Sequence, residues 1–408
     1  MRKKTPEKKA TPKKTIERGA SDHKTKEIIE ALLGPVLVQN PEFHITQGSL
    51  DINDVTAIWT WLVRDSDGNL PDEAMVAISA PEADKALGAL SLKVANLIGA
   101  GIAAAKKDPV VAKRIQIQLG NQETFAELSH VELAFRHQQL LGKSVAFGKA
   151  INGVKDENSL KLALQTFPVD DPAISAFMMH AALGQVQNPN RLVSVILDLS
   201  DGNSQRAITR AGFASAIDAL IAHAQSQIIH FTNTHSRFAD VDLICHALDR
   251  YHRLIRAVSS VTENDKTSHW ANSVAHIVRR MSALIEPRLT KVDADIRQSL
   301  RKARSGPDRL DADLLFDALN GLYLLAAVRE ALDALALNNL VNKLWGEIGK
   351  ALEILISRNL DAYRQDPQDD ILAERLNTGI KMAEIRFNPE YASIMSRARD
   401  GATKRAVS

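Results

Sequence analysis

One cysteine, Cys245, stands in a chain of 408 residues. Its solitude excludes an intrachain disulfide and every zinc site built on a cysteine cluster, and it fits a reducing compartment. Aromatic residues are also scarce, at 5%, which leaves little with which to line a hydrocarbon cavity or stack on nucleic-acid bases. No stretch of about 18 uninterrupted apolar residues occurs, so no transmembrane helix is expected. The best N-terminal candidate for a secretory core, IIEALLGPVLV (28–38), contains Glu30 and the Gly34–Pro35 break and lies far from Met1. It reads as the first structured segment, and the expected compartment is the cytoplasm. Gly-x-Ser-x-Gly and His-Glu-x-x-His are both absent, and a lone cysteine forbids the zinc-deaminase pattern.

What is present is the composition of an ordinary soluble protein, 45% hydrophobic and 25% charged. Ala and Leu dominate, which favours helices over strands. The formal net charge of +2 hides an asymmetry: RKKTPEKKATPKKTIER (2–18) carries a local +6, which leaves the rest of the chain at −4. Residues 1–20 are too poor in apolar side chains to offset the entropy of ordering them and are expected to be a disordered basic tail. Arg2, Lys3, Lys4, Lys8, Lys9, Lys13, Lys14 and Arg18 are its candidate contacts to a polyanion.

From Asp22 onward the pattern is helical nearly throughout. Ser79 and Glu82 are spaced as a capping box with Pro81 in the first turn. RDSDGNLPDEAM, FPVDDPAISAF, QNPNRLVSV and LSDGNSQRA each read as turn residues followed by a helix start. KRIQIQLG is the only run with strand-like alternation, and it equally suits the end of a helix. Over Phe238–Ser260, Leu243, Ile244, Leu248, Tyr251, Leu254, Ile255 and Val258 gather on one side at about 100° per residue. Asp242, His246, Asp249, Arg253 and Arg256 gather on the other. The segment 315–345 is apolar on more than one face and should lie central in its bundle. The expected fold is all-α: about a dozen helices in an irregular bundle or a stack of helical hairpins. The expected division is a tail (1–20), an N-terminal helical region (21–200) and a C-terminal one (201–408), or one continuous helical domain.

Several motifs nearly match. Gly99-Ala100-Gly101-Ile102-Ala103-Ala104 approaches a dinucleotide fingerprint, but it follows a helix instead of a strand, and Pro109 interrupts what comes next. Close helix packing through small residues explains it better. Gly142-Lys143-Ser144 ends like a phosphate loop whose first glycine is His137. A calcium loop centred on Gly68 would put Val63 and Ala74 where carboxylates belong. ENDKTSHWAN (263–272) departs from the magnesium motif of helical isoprenoid synthases at Asn272, and helix capping by Asn264 or Asp265 accounts for it.

Seven of the twelve histidines fall between residues 223 and 276. The pairs His130/His137, His223/His230 and His269/His276 are each two helical turns apart, roughly 10.8 Å along the axis. Zinc ligands sit about 2 Å from the ion, so no such pair chelates a shared metal alone. Only Asp242 with His246 and Asp249 with His252 have chelating spacing. Glu127-x-x-His130 is a single copy of an element that di-iron bundles use twice. Solvated polar faces are therefore expected, with no metal and no cofactor. The composite expectation is a non-enzymatic helical interaction or scaffold protein that meets another protein through interhelical grooves. A homo-oligomer is compatible with this, and the arm over 2–18 would touch nucleic acid or an anionic membrane surface. The alternatives are a nucleic-acid-associated protein acting through the tail, and a metal-dependent helical enzyme using residues 223–276.

Overall fold

The computed structural model describes residues 13–39, 48–167, 171–232, 241–302 and 309–407. It divides into two compact units, 1–222 and 223–408. The sequence places this division at 200/201; in the structure it falls inside a helix.

Unit 1 opens with α1 (Lys13–Leu33) and a 3₁₀ turn (Gly34–Val36). Two-residue strands β1 (Leu37–Val38) and β2 (Leu50–Asp51) then pair in parallel, Leu37 against Leu50. There follow α2 (Ile52–Asp65), α3 (Leu70–Ile78), α4 (Ala83–Lys107), α5 (Pro109–Leu119), α6 (Gln122–Arg136) and α7 (Gln138–Ile151). The unit continues through α8 (Glu157–Gln165), α9 (Pro172–Leu183), α10 (Pro189–Leu199), α11 (Gln205–Arg210) and α12 (Ala214–Ser226), which crosses the division. Unit 2 holds α13 (Ile229–Thr232), α14 (Val241–Thr262), α15 (His269–Ser299), α16 (Ala312–Glu330), a 3₁₀ turn (Leu332–Ala334), α17 (Asn338–Gln365), α18 (Asp370–Arg386) and α19 (Pro389–Val407). The architecture is all-α. The described residues form nineteen α-helices where about a dozen are expected. The excess comes from short helices such as α11 and α13, too brief to show a 3.6-residue period.

The tail expected over 1–20 lies outside the described residues as far as residue 12, and α1 supplies helical backbone from Lys13. Helix starts elsewhere follow capping chemistry. Asp51, Asp108, Asn121, Asp156, Asp171, Asn188, Ser204, Ser268, Asp311 and Asp369 each accept a hydrogen bond from a backbone N–H in the first turn. Two expected caps are displaced. Ser79 ends α3, its own N–H bonded to the Met75 and Ala77 carbonyls, so it does not start α4. The stretch at 263–272 is capped by Ser268, whose hydroxyl accepts from the Ala271 N–H at 3.1 Å, and not by Asn264 or Asp265.

The core of unit 1 is built by α1, α2, α4 and α6, with Leu33, Val55, Ile58, Leu62, Val94 and Phe135 essentially buried. Gly101 lies where a Cβ would come 2.6 Å from the Trp61 ring, so the glycine of the near-fingerprint admits α2 against α4. In unit 2, α14, α15, α16, α17 and α18 close around Tyr251, Trp270, Met281, Leu325 and Ile356. Tyr251 donates its hydroxyl hydrogen to the Ala334 carbonyl at 3.1 Å, and burial pushes the phenol well above its ordinary range.

Candidate functional site

On α14 the expected polar face is in place: Asp242, His246, Asp249, Arg253 and Arg256 are exposed, while Ile244, Leu248, Tyr251, Leu254, Ile255 and Val258 are buried. Leu243 departs from the expected apolar side and is 46% exposed. Asp249 pairs with Arg253 one turn on. His252 is turned about 60° from Asp249 around the helix and is half-buried, its Nε2 2.7 Å from Asp333 Oδ1 on the 3₁₀ turn after α16. Asp242, His246, Asp249 and His252 are thus not brought to one point. Among the described residues no group of three or more His, Cys, Asp or Glu side chains is placed to hold a metal ion. Cys245, half-buried beside them, has its thiol pushed up first by burial and then by the Asp242 carboxylate. Such a thiol is a poor nucleophile. On α6, His130 Nδ1 lies 3.0 Å from Glu127 Oε2, so this Glu-x-x-His pair closes on itself at the surface.

Of the arm candidates, Arg2, Lys3, Lys4, Lys8 and Lys9 lie outside the described residues, and Lys13, Lys14 and Arg18 belong to α1.

Three features escaped the sequence reading. His180 on α9 and Arg375 on α18 are each 1% exposed. Their neighbours carry the signal. His180 sits within Phe177, Met179, Ala181 and Ala182, and Arg375 lies on the face of Leu372, Leu376 and Gly379, all buried. The third feature is a cluster on Trp345 of α17, where the guanidinium carbons of Arg329 and Arg386 lie 4.6 and 4.5 Å from the ring centroid. Arg386 also donates its Nε hydrogen to the Trp345 carbonyl at 2.8 Å. Burial, followed by the neighbouring charge of Arg329, lowers its pKa. Both arginines stand in the last turn of their helices, α16 and α18. There they oppose the negative end of the helix dipole, and the cluster ties three helix segments together.

The surface chemistry of unit 1 is different. Val76 on α3 is 72% exposed, and Val110 and Ile117 on α5 are 76% and 70% exposed. Between α3 and α4 runs an open groove of about 540 Å³ whose floor is Val76, Ala77, Ala80, Ala86, Ala89 and Leu90. Asp72 and Glu73 stand on its rim. Lys93 bridges Asp67 at 2.7 Å and Glu73 at 2.8 Å, which lowers the Asp67 pKa and raises its own. The alternation that suggested a strand in KRIQIQLG proves helical, and residues two apart on a helix face roughly opposite ways. Ile115 is therefore buried at 3% while Ile117 is exposed. Helix α4 meets the length and composition for crossing a membrane although Lys93 and Asn96 interrupt its apolar run; a third of its most apolar stretch is buried in unit 1. No protein family, curated protein or solved structure matches the chain.

Proposed function

We propose that this is a non-enzymatic helical interaction protein. Unit 1 receives an amphipathic helix in the α3/α4 groove, and the basic arm over 2–18 contacts a polyanion. One observation carries the reading: Val76, 72% exposed, stands in an alanine-floored groove between α3 and α4. Such a side chain in contact with water forgoes about 1.5–3 kcal/mol of burial, and grooves of this kind receive helices by their i and i+7 anchors. The arm is supported by its local charge of +6, which on a polyanion releases counterions and makes binding strongly salt-dependent.

Two comparisons test this. Proteins co-purifying from native cells with the wild-type chain are compared with those co-purifying with Val76→Asp, whose new charge stands in the groove. A set that is unchanged by the substitution, with a co-expressed untagged copy of the chain counted among the partners, sinks the groove reading. Deleting residues 1–20 should abolish salt-dependent retention on duplex DNA or on anionic vesicles, and the two supports separate the two polyanions. Retention that survives the deletion on both supports removes the arm.

A further inference from the structure

The most exposed apolar helix face in unit 1 belongs to α5 itself. Asp108 caps this helix by accepting from the Val110 N–H at 2.8 Å, Pro109 opens it, and Gly120 ends it at φ +95°. Its inner face seats Ile115 and Leu119 in the core. Its outer face carries Val110, Lys113, Arg114 and Ile117, at i, i+3, i+4 and i+7, the spacing by which a helix docks in a groove.

We infer that the occupant of the α3/α4 groove is α5 of a second copy of this chain. This rests on the groove reading above and names its partner. Three properties match. Val110 and Ile117 are separated by about 10.5 Å along the α5 axis, and the nine residues of α3 run for about 13.5 Å, so both anchors fit along one wall. The floor is mostly alanine and leaves room for β-branched side chains. The rims are of opposite sign. Asp72 on the groove and Lys113 on α5 are both exposed, and among the described residues neither has an ion-pair partner within its own copy. Each copy owns one groove and one α5, so a two-fold pair satisfies both at once and closes at two copies.

Sedimentation velocity on the full chain should show a dimer. Ile117→Asp and Val76→Asp should each weaken it about thirtyfold or more, as loss of a central anchor does. Both positions are at the surface, so far-UV circular dichroism should not move. Asp72→Lys alone and Lys113→Glu alone should each weaken the dimer about tenfold. The double variant Asp72→Lys/Lys113→Glu should recover it, a rescue that general damage to the fold would not permit. A wild-type monomer at micromolar loading, a dimer indifferent to Ile117→Asp, or charge variants without rescue overturns the inference. If any of these occurs while Val76→Asp still strips partners from native cells, only the second-copy assignment falls, and the groove reading stands.

Discussion

The two units are made from the same Ala- and Leu-rich helices, yet they treat aliphatic side chains differently. In unit 1 Val76, Val110, Ile117 and Leu162 are 64–76% exposed, whereas the most exposed large apolar side chains described in unit 2, Ile354 and Ile394, reach 51%. Helices α5 and α14 show the cause. Around α14 the apolar residues other than Leu243 form one stripe, and the opposite side is Asp242, His246, Asp249, Arg253 and Arg256. Around α5 apolar residues stand on both sides, with Ile115 and Leu119 inward and Val110 and Ile117 outward. A one-sided helix completes its burial within its own unit; a two-sided helix leaves one face for something else. Amphipathicity alone therefore distinguishes a helix that finishes a core from one that also makes a surface.

The contrast breaks most clearly at its extremes. Trp270→Ala, deep in unit 2, should lower the unfolding free energy by about 3–5 kcal/mol, measured by urea denaturation. Val110→Ala in unit 1, measured at loadings dilute enough to keep copies apart, should change it by no more than about 0.5 kcal/mol. A large cost at Val110 in the isolated chain would mean that this side chain is already buried.

Capping supplies a middle scale on which the units should agree, since the chemistry is local. Asp171→Ala removes the acceptor for the Ala173 and Ile174 N–H groups of α9 at 3.0 and 3.2 Å, and Ser268→Ala removes that of α15. Each should cost about 1 kcal/mol in the same assay. A several-fold disparity would show that the two helix starts are held by tertiary packing as well.

Tyr251→Phe sharpens the account of unit 2. It leaves the ring packing intact and strands the Ala334 carbonyl, for a loss of about 1 kcal/mol. The smallest effect belongs to Asp295 on α15, whose carboxyl is raised above its ordinary range by burial and then by the like charge of Asp317. A carboxyl with a raised folded-state pKa favours the protonated folded form, so its destabilising charge is present at neutral pH and disappears once acid protonates it in both states. Asp295→Asn should accordingly raise the thermal midpoint at pH 7, with the gain vanishing as pH falls below the usual carboxylate range. A gain independent of pH would assign the effect to packing.

Much of this was legible in the chain. The all-α class followed from composition, and the α14 faces followed from the positions of six buried apolar and five exposed polar residues. Asp108, Asp171 and Asn188 stand directly before prolines, where capping and a fixed φ cooperate. The failures were also physical. Ser79 looked able to start a helix and Asn264 or Asp265 to cap another, and only the backbone path decided that Ser79 terminates α3 and that Ser268 initiates α15. The fate of Ile117 was readable in principle, because two-residue alternation on a helix must send one partner outward. Which isoleucine faced the core depended on where α2 and α6 lay.

By itself, the order of residues determined that this protein is helical, where most helices begin, and that no intrachain disulfide or cysteine-cluster zinc site is open to it, because propensity, capping and composition are read from the chain alone. Tertiary structure alone decided that the α14 carboxylates and imidazoles do not meet, that Trp345 gathers two arginines, and that a groove opens between α3 and α4. Those outcomes depend on side chains brought together from distant parts of the chain, and packing geometry is the only thing that selects them.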